Sequence, residues 1–218
     1  MSDFDLATVD RLLSTTRAVR KRLDLERPVP REVVLDCIRL SQQAPTASNT
    51  QRWRWLLIDD PALRRELGRI YADGMPAIRA SAKQNAHDDQ TRDVYEVALW
   101  FAERLGDVPL LAIPCLAERI PESAPLVLTA STFGSIYPAV WSFQLALRSR
   151  GLGSTFTTLH LLFEKRVREL LHIPDDVTQT ALLPVAYTKG LDFKPGRRPP
   201  VESIVRWNLW DSSEGSSA

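Results

Sequence analysis

Within ten residues, Ala44-Pro-Thr-Ala-Ser-Asn-Thr-Gln-Arg-Trp53, this chain has to leave an apolar-patterned helix and enter a tryptophan-rich strand. Pro45 stops the helix, because it has no backbone N–H to donate and restricts the residue before it. The small residues that follow let a backbone approach a ligand closely. Asn49 and Gln51 add paired donors and acceptors suited to a planar heterocycle. An ordinary polar helix-to-strand loop has the same composition. Two basic pairs elsewhere, Arg17 with Arg20 and Arg197 with Arg198, set this turn in a different light. Together the three segments suit a phosphorylated aromatic ligand held by parts of the chain far apart in sequence.

The surrounding pattern is mixed α and β, without a detectable repeat. Leu6, Val9 and Leu13 give a first helix over residues 6–16. A second opens at Pro30 and turns Val33, Val34, Cys37, Ile38 and Ser41 inward. Trp53 to Ile58 is a strand with Trp55 and Leu57 on one face and Leu56 and Ile58 on the other. Asp60-Pro61 caps the next helix, through Leu63, Leu67 and Ile70. From Met75 to Leu105 the pattern is helical but loosely amphipathic, with a polar centre from Lys83 to Asp93. That stretch suits either a solvated helical excursion or a cover over a site.

Pro109 to Leu116 is a buried strand, with Pro114 marking it as bulged, peripheral or near its end. Helix resumes around Phe133 and is strongest from Ala139 to Arg150, with Val140, Phe143, Gln144 and Leu147 along one side. Gly151-Leu152-Gly153 ends it with left-handed cap conformations. A short strand or turn over 154–158, a helix through Val167, Leu170 and Leu171, and a turn at Pro174-Asp175-Asp176 follow. Thr180 to Tyr187 reads as a strand interrupted by Pro184. Residues 1–210 are expected to form one domain, and the Ser/Gly-rich 211–218 a disordered tail.

Charge and cysteine content narrow the function. Twenty-eight basic residues against 27 acidic ones leave no global field pointing to nucleic acid or an anionic membrane. Met1-Ser-Asp-Phe-Asp is acidic where a signal peptide is basic and apolar. The longest apolar runs fall short of the ~20 residues that span a bilayer. Cys37 and Cys115 are isolated, which argues against CxxC redox chemistry or a zinc site and for small buried hydrophobes. The expectation is a cytoplasmic protein that binds neither nucleic acid nor membrane. His87, His160 and His172 lack metal-ligand spacing and are read as structural or surface residues.

Arg17-x-x-Arg20 closes the first helix. Its guanidinium forks suit phosphate oxygens or ring carbonyls, as well as a solvated basic face. Thr155, Thr157 and Thr158 offer hydroxyls to a ring nitrogen, or serve as ordinary strand threonines. Arg197-Arg198-Pro199-Pro200 is a rigid basic turn, suited to phosphate or to the surface.

In order along the chain, Arg17-Ala-Val-Arg20, the 44–53 segment, Gly151-Leu-Gly-Ser-Thr-Phe-Thr-Thr158, Val167-Arg-Glu-Leu-Leu-His-Ile-Pro174, Leu183-Pro-Val-Ala-Tyr187 and Arg198-Pro-Pro-Val-Glu-Ser-Ile204 resemble the nitroreductase family. These are FMN-dependent oxidoreductases that also include iodotyrosine deiodinases and the flavin-cleaving enzyme of cobalamin biosynthesis. The resemblance implies an α+β fold, a central, mostly antiparallel sheet flanked by helices, in an intertwined homodimer with FMN at the interface. Residues 71–108 fall where the family varies and shapes its substrate pocket or lid.

By the same resemblance, Arg17, Ala18 and Arg20 meet the phosphate–ribityl part and the pyrimidine edge of FMN. Pro45, Thr46, Ser48, Asn49 and Gln51 flank the cofactor across a subunit boundary. Phe156, Thr157 and Thr158 run beside the ring, where a threonine hydroxyl or backbone N–H faces flavin N5. Arg198, aided by Arg197, matches the late phosphate-binding position, and 201–210 the arm that embraces the partner. Ala18 stands where the family commonly has Ser, Arg52 replaces the usual Pro, and Ala186-Tyr187 replaces Gly-Tyr. The implied reaction is ping-pong: hydride from NADH or NADPH, then reduction of a nitroaromatic, quinone or similar small-molecule acceptor. A reductive dehalogenase, a flavin-cleaving enzyme and a flavin-sequestering protein are the alternatives.

Overall fold

The structure is a computed structural model in which residues 3–210 are described; the tail expected over 211–218 lies outside them. The elements run α1 (Leu6–Thr15), α2 (Arg31–Ser41), β1 (Trp53–Ile58), α3 (Pro61–Ala72), α4 (Met75–Asn85), α5 (Asp89–Ala102), β2 (Leu110–Leu116), α6 (Leu126–Ser149), β3 (Leu152–Ser154), α7 (Glu164–Leu171), β4 (Thr178–Gln179) and β5 (Leu183–Tyr187). The sheet order is β1-β2-β5-β3, with β4 also on β2, and every strand pair is antiparallel. The fold is α+β, as expected.

Side-chain alternation along β2 explains why helices cover both faces of this sheet. Leu111, Ile113 and Cys115 enter one core with Ile58, Leu67, Phe101, Leu105 and Val167. Leu110, Ala112 and Leu116 enter the other with Val34, Cys37, Ile136, Val140 and Phe143. A period of two makes such a split unavoidable in a strand that is apolar throughout. On β1 the same rule sends Leu56 and Ile58 to the first core and Trp55 and Leu57 to the second. Each fully buried aliphatic side chain contributes about 1.5–3 kcal/mol.

Pro114 falls two residues from the end of β2, one of the placements expected of it, whereas Pro184 departs from expectation. β2 is a central strand, and Pro114 pairs with Trp55 of β1 on one side. On the other side β5 pairs only as far as Ala112 and β4 takes over at Cys115, so the imide falls at the changeover. Its carbonyl accepts both the backbone N–H (3.0 Å) and the hydroxyl (2.7 Å) of Thr180. Pro184 does not interrupt its strand either; it pairs with Leu111 inside β5. The break comes earlier, between β4 and β5.

Asp60 caps α3, its carboxylate accepting from Ala62 N and Leu63 N, both at 2.9 Å, with Pro61 in the first turn. Pro30 is itself the residue before α2, one position earlier than expected. The polar centre of the 75–105 stretch is the turn between α4 and α5, where Asp88 accepts from Thr91 N at 2.9 Å. Ser81 and Tyr95 hydroxyls join the two helices at 2.8 Å.

α6 starts seven residues before Phe133, at Leu126, and continues through Pro138. Among the described residues it is the one helix with the length and hydropathy (1.2) of a membrane span. Ile136, Val140, Phe143, Ala146 and Leu147 nevertheless lie buried within the sheet's second core.

Candidate active site

The end of α1 runs into the open end of the sheet. Ala18 forms a parallel bridge with Ser154, and Val19 N donates to Ser154 O at 2.9 Å. This contact needs Gly153. A Cβ there would stand 2.6 Å from Thr188 Cγ2 and 3.1 Å from the Val19 side chain. Gly151 does adopt the left-handed conformation expected of both glycines (φ 76°), whereas Gly153 lies within β3 and serves close packing.

Past β3 the chain stays pinned. Thr157 N donates to Leu182 O (3.1 Å) and Leu182 N to Thr157 O (2.7 Å). The Thr157 and Tyr71 hydroxyls are 2.7 Å apart and hydrogen-bonded. Tyr71, at the end of α3, also lies close enough to Arg20 for their electrostatics to couple. Burial pushes the Tyr71 phenol up from its ordinary value, while the Thr157 bond and then Arg20 oppose that. Burial likewise lowers Arg20, with Tyr71 partly opposing it. The Arg20 guanidinium has no carboxylate partner among the described residues.

Tyr71 thus links the Thr157 hydroxyl to the neighbourhood of Arg20. Arg17 is exposed and donates to Lys194 O at 3.2 Å. With Arg20, Val97 and Lys194 it lines a cleft of about 390 Å³. Thr158 is exposed, its hydroxyl uncommitted among the described residues. Of the two candidate threonines, Thr157 is committed to Tyr71 and Thr158 is free for a ligand. Phe156 is 39% exposed and meets Tyr137 of α6 edge-on, ring centroids 5.5 Å apart.

The 44–53 turn is arranged separately. Ser48, Asn49 and Gln51 all take left-handed backbone (φ 53°, 54° and 48°), uncommon for side chains other than glycine. Gln51 Nε2 donates to Asn49 Oδ1 at 2.7 Å, and Gln51 N to Thr46 Oγ1 at 3.3 Å. Pro45, Ser48, Asn49 and Gln51 are exposed and Thr46 is half-buried. Ser135 of α6 anchors the turn: its hydroxyl accepts from Ala47 N (2.9 Å) and its carbonyl from Trp53 Nε1 (2.7 Å). No hydrogen bond or ion pair among the described residues joins this turn to Arg17 or Arg20. Arg52 is neutralised by Glu118, which removes the extra charge its sequence position suggested.

Nor does the late basic pair reach the cleft. Arg197 and Arg198 are exposed, and Arg198 Nη1 donates only to Arg197 O, at 2.8 Å. Every residue from 197 to 210 is exposed, including Val201 (60%), Ile204 (71%) and Trp210 (87%).

Tyr71 and Ser135 are the site residues that sequence reasoning missed. Tyr71 ends an ordinary apolar helical stripe, and Ser135 lies inside a helix, so neither carries a local signal. Cys115 is held inert, its thiol pushed up by burial to about 12. His160 is fully buried with both ring nitrogens unpartnered, and burial lowers it to about 4.

The residues fit a phosphorylated, planar, electron-accepting ring. Arg20 is a largely enclosed cation without a carboxylate partner among the described residues, Arg17 lines the same cleft, and Thr158 has an exposed, uncommitted hydroxyl. Similarity to known proteins points the same way. An iodotyrosine deiodinase of Thermotoga neapolitana is 27% identical over 200 residues, 91% of this chain and 97% of that protein. The structure of an oxidized iodotyrosine deiodinase bound to FMN and 3-iodo-L-tyrosine superposes with a TM-score of 0.68 at 26% identity, over 93% of this chain and 100% of the other. The FMN-dependent nitroreductase NfnB from Mycobacterium smegmatis, in complex with NADPH, shares the fold at a TM-score of 0.69 and 19% identity, over 94% and 100% of the two chains. The model of the nitroreductase family matches residues 13–187, well over half the chain, and the protein belongs to the nitroreductase family.

Proposed function

We propose that this protein is an FMN-dependent oxidoreductase that takes hydride from NADH or NADPH and passes reducing equivalents to an electron-poor small molecule such as a nitroaromatic or quinone. The observation that carries this reading is Arg20, a largely enclosed guanidinium with no carboxylate partner among the described residues, beside the Tyr71–Thr157 pair.

FMN, when bound, supplies the hydride-accepting ring and does the redox chemistry. The chain's share is placement and charge. Arg20 would face the pyrimidine edge, where a cation favours the electron-rich ring. Arg17 would hold the phosphate, and Arg198 with Arg197, which lie outside the Arg17–Arg20 cleft in the single chain, would join it in the homodimer. Thr158 would present its hydroxyl toward the ring nitrogen, while Tyr71 holds Thr157 and so fixes the neighbouring backbone. Phe156, braced by Tyr137, would flank the ring system, and Ala18 offers only backbone.

Pro45, Thr46, Ser48, Asn49 and Gln51 are polar, exposed and apart from Arg20 in the single chain, which supports a homodimer in which each turn completes its partner's site. The exposed 201–210 segment is the arm that would embrace the partner. Residues 71–108, as the α4–α5 hairpin, would shape the acceptor pocket of a single domain spanning 1–210, in a cytoplasmic setting.

Reductive dehalogenation is the second reading, favoured by the deiodinase likeness at 26–27% identity. The purified protein should show two flavin bands that bleach on anaerobic addition of NADH or NADPH. A colourless protein that stays colourless with added FMN would sink the assignment. A yellow protein inert to both nucleotides but turning over a halotyrosine with a chemical reductant would move it to the second reading.

A further inference from the structure

A second cavity of about 480 Å³ lies between α1, the end of α6 and the 191–193 segment. Arg11, Thr15, Arg148, Ser149, Leu191 and Phe193 are among its walls. Two guanidinium groups rest against the Phe193 ring, Arg22 at 4.2 Å and Arg148 at 4.8 Å from its centroid. Arg148 donates Nη2 to Leu191 O at 3.0 Å, while its Nε is buried without a partner.

The charges here do not balance. Arg22 is paired with Asp192 at 2.5 Å. Among the described residues Arg11 and Arg148 have no ion pair. Asp5 lies near enough to feel Arg11, but its carboxylate accepts the Thr8 hydroxyl. Arg11 and Arg148 thus line the cavity without an ion pair among the described residues, beside the Arg22–Asp192 pair. Arg148 is pushed below its ordinary value by burial, then by Arg11 and Arg22. Like charges gathered in a partly enclosed space repel, and a bound anion relieves that.

We propose that this cavity binds a phosphate monoester with an apolar or aromatic body. The Arg11 fork and the remaining Nη1 of Arg148, from separate helices, match an oxyanion with three acceptor oxygens. Leu12, Leu191 and Phe193 give the body an apolar wall. The volume is far more than a bare phosphate fills, since one water occupies about 30 Å³. Asp192 and Phe193 line both this cavity and the Arg17–Arg20 cleft, but Arg11 and Arg148 belong to this one alone.

The test is calorimetric titration of full-length, FMN-saturated protein with phenyl phosphate in low-salt, phosphate-free buffer, with inorganic phosphate and benzoate in parallel. One saturable site per chain is expected, weaker for both controls. Arg11→Ala and Arg148→Gln should each weaken binding about tenfold, the loss of one charge-assisted contact. Arg11 is exposed on α1 and its removal spares the Phe193 contacts, so a folding defect in the Arg148 variant leaves the test intact. Arg17→Glu with Arg198→Glu should retain the site even if it releases FMN, which separates this proposal from the cofactor assignment. Absence of heat up to millimolar ligand, affinity unmoved by both cavity variants, or inorganic phosphate binding as tightly as the ester would each overturn it.

Discussion

The 151–158 stretch and the 44–51 turn are built from the same small and hydroxyl-bearing residues, yet the chain treats them in opposite ways. The first is woven into the sheet: Leu152, Gly153, Ser154 and Thr155 are buried, and neighbours on both sides fix its backbone. The second is exposed, holds three left-handed residues and hangs on Ser135. One stretch is made rigid by its own sheet; the other is an exposed, strained turn held at a single anchor. Strain of this kind costs on the order of 1–3 kcal/mol per residue and persists where the surroundings over-determine it.

Acidification should break the contrast most. His160 follows the buried stretch and sits there neutral, lowered from 6.5 to about 4 by burial. The unfolded chain therefore takes up a proton that the folded one refuses. Its stabilising contribution is complete above about pH 6.5 and disappears as pH falls toward 4, a loss of roughly 3 kcal/mol. Denaturant unfolding at several pH values should show this slope, and His160→Leu should flatten it.

Gly153→Val comes next. Its side chain would collide with Thr188 and Val19, and overpacking of this kind costs about 1–3 kcal/mol. A lowered midpoint with an unchanged denaturant slope is expected; an unaltered midpoint would mean that the Ala18–Ser154 bridge is not the tight junction described. Ser135→Ala is the mildest. It removes the bond to Ala47 N and should cost about 1 kcal/mol. Hydrogen exchange should accelerate at Ala47 and stay unchanged at Thr157, which sharpens the contrast; equal acceleration at both would erase it.

The same contrast explains what could be read from sequence. β1 was legible residue by residue, because a strand between two cores obeys a period of two. Pro114 was legible as a residue near the end of its strand, but Pro184 was misjudged, since whether a proline is tolerated depends on which neighbour pairs beside it, and its partner Leu111 lies more than seventy residues earlier. The start of α6 was missed because Leu126 and Val127 are apolar but point outward (83% and 76% exposed), which spoils the amphipathic signal. At the site, Arg17, Arg20 and Thr157 were singled out by motif order, and the structure sets Arg17 and Arg20 along one cleft. The Tyr71 contact was not, because a tyrosine closing an apolar stripe reads as core.

The two-part pairing of β2 also bears on how the chain is made. All seven of its residues are buried, and one edge meets β1, which is synthesised first. The other edge is closed by residues 178–187, which leave the ribosome several seconds later at ~5–20 residues per second. For that interval the most apolar strand of the molecule is a half-covered edge on a nascent chain, and any chaperone dependence of this protein should begin as β2 emerges and end with β5.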